Sequence, residues 1–334
     1  MVKGKKGVKN FGKRLWIDIS SDDDPAGRSY HDMSYNIESD VIIMTHGQFS
    51  WPDSLPQETW AFSIDSRVWT NMNPSNKPRG VAGHSIAYDS KHDMIILFGG
   101  GFSMDQSLSE TWAYDYNLNT WENLNPSVSP PPRIGHKMVF DIQSEKIILF
   151  GGKQNLLSDS LLYNDVWTYD YESNTWTNVT PAVNPEARMF FNMIYDKKAE
   201  RSIIYGGYTK LDWNQLPNRQ GFKNDTWAYD SKENKWIKLT PSISPQQRAY
   251  ASSVYHEQLE SMILYGGWNE EQNLIYSDTW SYNFRENSWK KFNYNSPGNL
   301  SHSSMAYSNK SNKILIFGGY SKPYVSFSNS TWLF

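Results

Sequence analysis

The sequence predicts an all-β fold of repeated four-stranded antiparallel units, and three observations predict it. Short apolar runs close on diglycine at LFGG (97–100), LFGG (149–152), IYGG (204–207), LYGG (264–267) and IFGG (316–319), with a degenerate version, IMTHG, at 43–47. A tryptophan follows each run, at Trp60, Trp112, Trp167, Trp227, Trp280 and Trp332, in steps of 52, 55, 60, 53 and 52 residues. Five of these are followed nine residues later by a second, at Trp69, Trp121, Trp176, Trp236 and Trp289. Self-similarity at a fixed period near 50 residues marks a repeat architecture.

Each unit reads as four strands. In the third, strand a is RIGHKMVFD (133–141), b is KIILFGG (146–152), c is DVWTYD (165–170) and d is NTWTNVT (174–180). Strand a places His136, Met138 and Phe140 on one face by period two, and Tyr35, Tyr88, Tyr195, Tyr255 and Tyr307 keep that register in the other copies. Strand b is apolar almost throughout, as an inner strand covered on both faces must be, and is too short for a core helix. The a–b and c–d connections are short and polar, as hairpin turns are. Glycines at the end of b permit positive φ and close backbone approach.

The last copy has a (300–308), b (313–319) and c (329–334), but no second tryptophan. Near the other terminus, KRLWIDIS (13–20) matches the d pattern, with Trp16 in the tryptophan position. An unpaired strand edge is a template for aggregation. The N-terminal strand is therefore expected to complete the last unit, and removal of residues 1–20 to destroy solubility or cooperative melting.

These copies, such as LFGG…NDVWTYDYESNTW and LYGG…SDTWSYNFRENSW, resemble kelch repeats. The resemblance covers roughly residues 14 to 334 and implies a β-propeller of six blades, closed by the N-terminal strand in blade six. The domain assignment that follows is a basic, flexible tail over 1–12 and one propeller over 13–334.

Composition excludes several functions. Lys and Arg number 32 against 35 Asp and Glu, a net charge of −3, which excludes a globally basic nucleic-acid binder. No run approaches 18 apolar residues, so no membrane-spanning helix is expected. There are no cysteines, which excludes disulfides, thiolate metal sites and cysteine nucleophiles. It also excludes the Cys–Tyr cross-link of galactose-oxidase-like kelch proteins. The iron triad of nitrile-specifier-like proteins, E-x3-D-x3-H, is missing too. His31, His84 and His136 share one repeat position, and structural hydrogen bonding is expected of them rather than metal binding. No cofactor and no catalytic residue is assigned, and a cytoplasmic monomer is expected.

In an a-b-c-d meander the b–c and d–a loops emerge on one face. The b–c loops are the long ones, so function is expected on that rim. It offers aromatics, of which Tyr208, Trp213, Trp268, Tyr320 and Tyr324 are the candidates, and four arginines entering strand a: Arg28, Arg133, Arg188 and Arg248. Blade two has Val81 at the aligned position and Arg79 two residues earlier, and blade six has Leu300. Glu58, Glu110, Asp165, Asp225 and Asp278 recur two residues before the first tryptophan and are the structural partners the arginines would otherwise take. The functional expectation is a non-catalytic module binding a protein segment, acidic if the arginines face outward. The competing expectations are a carbohydrate-binding protein, or a sugar-acting enzyme resembling kelch-type sialic acid mutarotases. Replacing Arg133, Arg188 and Arg248 by Ala is expected to abolish binding of an acidic peptide and leave the melt nearly unchanged. The paired tryptophans are expected to pack between blades.

Overall fold

The computed structural model describes residues 16–48, 55–156, 161–209, 221–293, 295–321 and 327–334. The chain opens with β1 (Ile17–Asp18). Blade one is β2 (Asp32–Asn36), β3 (Val41–Thr45), β4 (Thr59–Ser63) and β5 (Val68–Asn71). Blade two is β6 (Ser85–Asp89), β7 (Met94–Phe98), β8 (Thr111–Asp115) and β9 (Thr120–Asn123). Blade three is β10 (Lys137–Asp141), β11 (Lys146–Phe150), β12 (Val166–Asp170) and β13 (Thr175–Asn178). Blade four is β14 (Asn192–Asp196), β15 (Arg201–Tyr205), β16 (Thr226–Asp230) and β17 (Lys235–Leu239). Blade five is β18 (Ser252–His256), β19 (Ser261–Tyr265), β22 (Thr279–Asn283) and β23 (Ser288–Phe292). Its long b–c loop folds into a small hairpin of β20 (Trp268–Asn269) and β21 (Leu274–Ile275), turned by Asn273 at φ 49°. Blade six holds β24 (Ser304–Ser308), β25 (Lys313–Phe317) and β26 (Thr331–Leu333).

Six four-stranded antiparallel sheets result, and the sixth has the order β1-β26-β25-β24. Ile17 pairs with Leu333 and Asp18 with Trp332, so the N-terminal strand supplies the missing edge. The blades are arranged as a propeller. One apolar cluster fills each gap between neighbours, including that between blades six and one, where Met44, Phe62 and Trp69 meet Leu315, Phe317 and Leu333. The b strands are buried almost end to end, as their composition predicts.

The second tryptophan of each pair bolts its blade to the one before. Trp69 donates its indole N–H to Thr331, Trp121 to Thr59, Trp176 to Thr111 and Trp289 to Thr226, at 2.9–3.1 Å. Trp16 donates to Thr279 at 3.4 Å and packs against Tyr265 and Phe334, so it takes the same place in blade six. The acceptor is always the first residue of the c strand. Blade three has Val166 there, and the buried Trp236 indole N–H has no acceptor among the described residues. The first tryptophans also border the inter-blade clusters, which accounts for both sets as packing residues.

Two circles of main-chain hydrogen bonds tie the blades together near the axis. In the first, the second diglycine residue donates to the next blade at the arginine position: Gly100 to Arg133, Gly152 to Arg188, Gly207 to Arg248, Gly267 to Leu300 and Gly319 to Arg28, with Gly47 to Val81. Glycine precedes it in five blades, where a Cβ on Gly206 would lie 2.6 Å from the Arg248 carbonyl oxygen, and blade one carries His46 there at φ 54°. The second circle joins the residues two positions further on: Gly83 donates to Tyr30, Gly135 to Gly83, Phe190 to Gly135, Tyr250 to Phe190, His302 to Tyr250 and Tyr30 to His302. All six have φ between 53° and 70°.

Candidate functional site

The four arginines lie inside the blades. Each side chain is wholly buried. Arg133 donates to the Pro131 carbonyl, to the Gly151 carbonyl and, through both terminal nitrogens, to Asp165 at 2.7 and 2.8 Å. Arg188 repeats this with Glu186, Gly206 and Asp225, and Arg248 with Gln246, Gly266 and Asp278. Arg28 pairs with Glu58 at 2.7 Å. The same acids accept the indole N–H of Trp60, Trp167, Trp227 and Trp280. Burial works to raise the Asp225 and Asp278 pKa values, but the hydrogen bonds and charge of Arg188 and Arg248 outweigh it and hold them below the usual range. Each guanidinium thus clamps the b–c loop of its own blade, and a ligand on the surface of this structure meets none of the four. With these donors engaged, loss of the arginines is now expected to lower stability rather than leave the melt nearly unchanged.

The departures from the pattern are paired in blade six, where Leu300 stands for the arginine and Ser330 for the acid. Blade two keeps the acid: Glu110 accepts from Trp112, while Arg79 lies over the Phe102 ring at 3.7 Å.

The described rim aromatics turn inward. Tyr208, Trp268 and Tyr320 are 2–4 % exposed, and each bridges to the residue after the arginine position, at Met189, Ala249 and Ser301. They gather around four residues that the sequence reading missed: Tyr30, Phe190, Tyr250 and His302. Tyr250 stacks on His302 at 3.9 Å, and His302 on Tyr320 at 4.4 Å. Tyr30 reaches from blade one to Phe190 in blade four at 5.6 Å. Blades one and four are opposite, so the rings meet across the axis and plug the channel at the loop face. The available signal was Gly83 and Gly135 at the same repeat position, since two glycines mark a backbone site of positive φ. Trp213 and Tyr324 lie outside the described residues.

Below the plug, a cavity of about 280 Å³ runs down the axis between the six inner strands to the a–b turns. A polar girdle caps it: Asp32 accepts from Lys137, Ser85 and Ser304.

A second missed feature lies on the d–a loops. Val128, Val183 and Ile243 stand seven residues after the second tryptophans of blades two, three and four and are 52, 68 and 60 % exposed. The blade-three b–c loop adds Leu161, 66 % exposed. These exposed aliphatics recur at one position on the loop face of three consecutive blades, unlike scattered single residues. Here the aligned P-x-V/I-x-P pattern was the readable signal.

His31, His84 and His136 are buried, and the side-chain hydrogen bond expected of them is seen at His84, while the ring nitrogens of His31 and His136 are packed among apolar groups. His84 bonds Thr45 at 2.8 Å, and His31 and His136 stand edge-on to Phe317 and Phe98. Burial, joined for His31 by the Arg28 charge, pushes His31 and His84 down to about 3, and burial holds His46, His136 and His302 well below the ordinary value. Among the described residues no group of three or more potential ligands converges for a metal, and no helix is long and apolar enough to cross a membrane.

Comparison with known proteins agrees with this architecture. Kelch domain-containing protein 3 of Rattus norvegicus is 25 % identical over 279 residues, covering 77 % of this chain and 68 % of the relative. The Homo sapiens protein of that name is 24 % identical over 272 residues with the same coverage. Mei4-dependent protein 6 of Schizosaccharomyces pombe is 25 % identical over 211 residues, covering 58 % of this chain and 29 % of its own. The KLHDC2/KLHL20/DRC7 Kelch-repeats domain matches residues 35–244 and 83–319, most of the propeller, and the chain belongs to the kelch-repeat family.

Proposed function

We propose that this propeller is a non-catalytic protein-binding module that receives its partner on the b–c/d–a loop face. Kelch propellers are in general protein-interaction modules, and the reading here concerns which face is used. The observation that carries it is the arc of Val128, Val183 and Ile243 on consecutive loops, extended by Leu161. Aliphatics more than half solvated at one repeat position favour contact with an apolar partner surface. The partner is an apolar protein segment rather than an acidic one, since the guanidinium groups are turned inward. Recognition is favoured over sugar chemistry because the plug closes this mouth of the channel, and the four aligned arginines are each engaged by their own carboxylate.

The test is protein capture from native lysate by three proteins: wild type, the triple variant V128S/V183S/I243S, and L118S on the c–d turn face, where Leu118 is 73 % exposed. Partners held by wild type and L118S but lost by the triple variant support the reading. Partners retained by the triple variant and lost by L118S place the interface on the turn face.

A further inference from the structure

The girdle at the blind end of the channel is asymmetric. At the second position of strand a the backbone N–H points away from strand b, toward the preceding blade. In three blades a side chain from the preceding blade accepts it: Ser304 caps the Met33 amide, Asp32 that of Ile86 and Ser85 that of Met138, each at 3.1 Å. Met193, Ser253 and Met305 occupy the same register in blades four, five and six. Their preceding blades present Lys137, which has no acceptor, Asn192, whose amide donates to the Ala251 carbonyl, and Ser252, whose hydroxyl donates to Ser303. Those three N–H groups have no acceptor among the described residues.

Lys137 stands beside this arc. Its ammonium reaches Asp32 at 3.2 Å, and its side chain is 31 % exposed, facing the cavity. Asp32 has both oxygens occupied, Oδ1 by Lys137 and Ser304 and Oδ2 by Ser85 and Ile86. One half of the girdle is therefore self-satisfied. The other half offers three amide donors and an ammonium to a space of about 280 Å³, sealed above by the plug. Main-chain N–H groups without acceptors lining one cavity, with a cation alongside, favour a compact anion.

We propose that the blind end of the channel binds a small carboxylate or a similarly compact oxyanion, admitted from the a–b turn face. The site is separate from the loop-face interaction surface and does not depend on it. Acetate is the probe. In full-length protein with selectively 15N-labelled methionine, the Met193 and Met305 amide resonances shift saturably with acetate at constant ionic strength. The Met33 and Met138 amides, already capped, stay in place and serve as internal controls. Lys137→Met weakens acetate binding roughly tenfold, and Lys137→Arg keeps it within about threefold of wild type. Unmoved Met193 and Met305 amides in the wild-type protein overturn the proposal, as do four amides shifting alike. That readout needs no variant, so it holds even if Lys137→Met fails to fold. Undiminished binding by a folded Lys137→Met protein also overturns it.

Discussion

The Tyr30 amide donates to the His302 carbonyl at 3.3 Å, the longest bond of a six-membered circle whose other five measure 2.8–2.9 Å. These two residues are 272 positions apart and join the first blade to the last. Their side chains meet edge to face at 4.5 Å in the same plug. Closure of the ring and sealing of its loop-face mouth are thus one structural event.

Trp16 is the bolt that makes this closure cooperative. Its ring is 2 % exposed and packs on Tyr265 and Phe334. Trp16→Ala is expected to cost about 3–5 kcal/mol, seen as a lower denaturation midpoint. An unchanged midpoint would mean that blade six is stable without its fourth strand.

Trp236 offers a gain in stability. Val166→Thr puts a hydroxyl where five other blades use one, at nearly the same volume. It is expected to add about 1 kcal/mol by satisfying the indole N–H. A melt that falls instead would show that the buried hydroxyl costs more than the bond returns.

Arg188→Ala strands the Asp225 carboxylate beside a loop that the guanidinium held. A loss of about 3–5 kcal/mol is expected, against the expectation drawn from sequence for the arginine variants. The double change Arg188→Leu with Asp225→Ser copies the Leu300/Ser330 arrangement of blade six and should recover part of it. Equal losses in both proteins would remove the ion pair from the explanation.

The arginines show where sequence reading succeeds and stops. Repeat spacing gave the blades, their strand order and the closing role of Trp16, because a glycine at the end of strand b and a tryptophan in strand d serve each inter-blade contact. The same spacing paired Arg133 with Asp165 only as one of two options. Charge does not reveal direction, and a guanidinium entering strand a has the same sequence signature facing inward or outward. The plug was legible only through Gly83 and Gly135, since Tyr30, Phe190, Tyr250 and His302 adopt positive φ without a glycine to announce it.

The buried histidines set the acid response. His31 and His84 titrate near 6.5 when unfolded and near 3 when folded. Between those values the unfolded chain binds more protons, so stability is full above about pH 6.5 and falls as pH drops, by about 1.4 kcal/mol per pH unit for each ring. His136→Phe copies Phe191, which meets Phe150 at 5.4 Å much as His136 meets Phe98 at 5.5 Å. That variant should flatten the slope by one histidine's share between pH 6 and 5, in denaturant titrations, with little change at pH 8. A slope equal to wild type would assign the acid sensitivity to other groups.

Hydrogen exchange at the Tyr30 amide tests the closed ring most directly. In protein with 15N-labelled tyrosine, that amide is expected to exchange only through global unfolding, with the same protection as the Tyr250 amide of blade five. Exchange of Tyr30 at the rate of an open loop, while Tyr250 stays protected, would contradict a ring joined between its first and last blades.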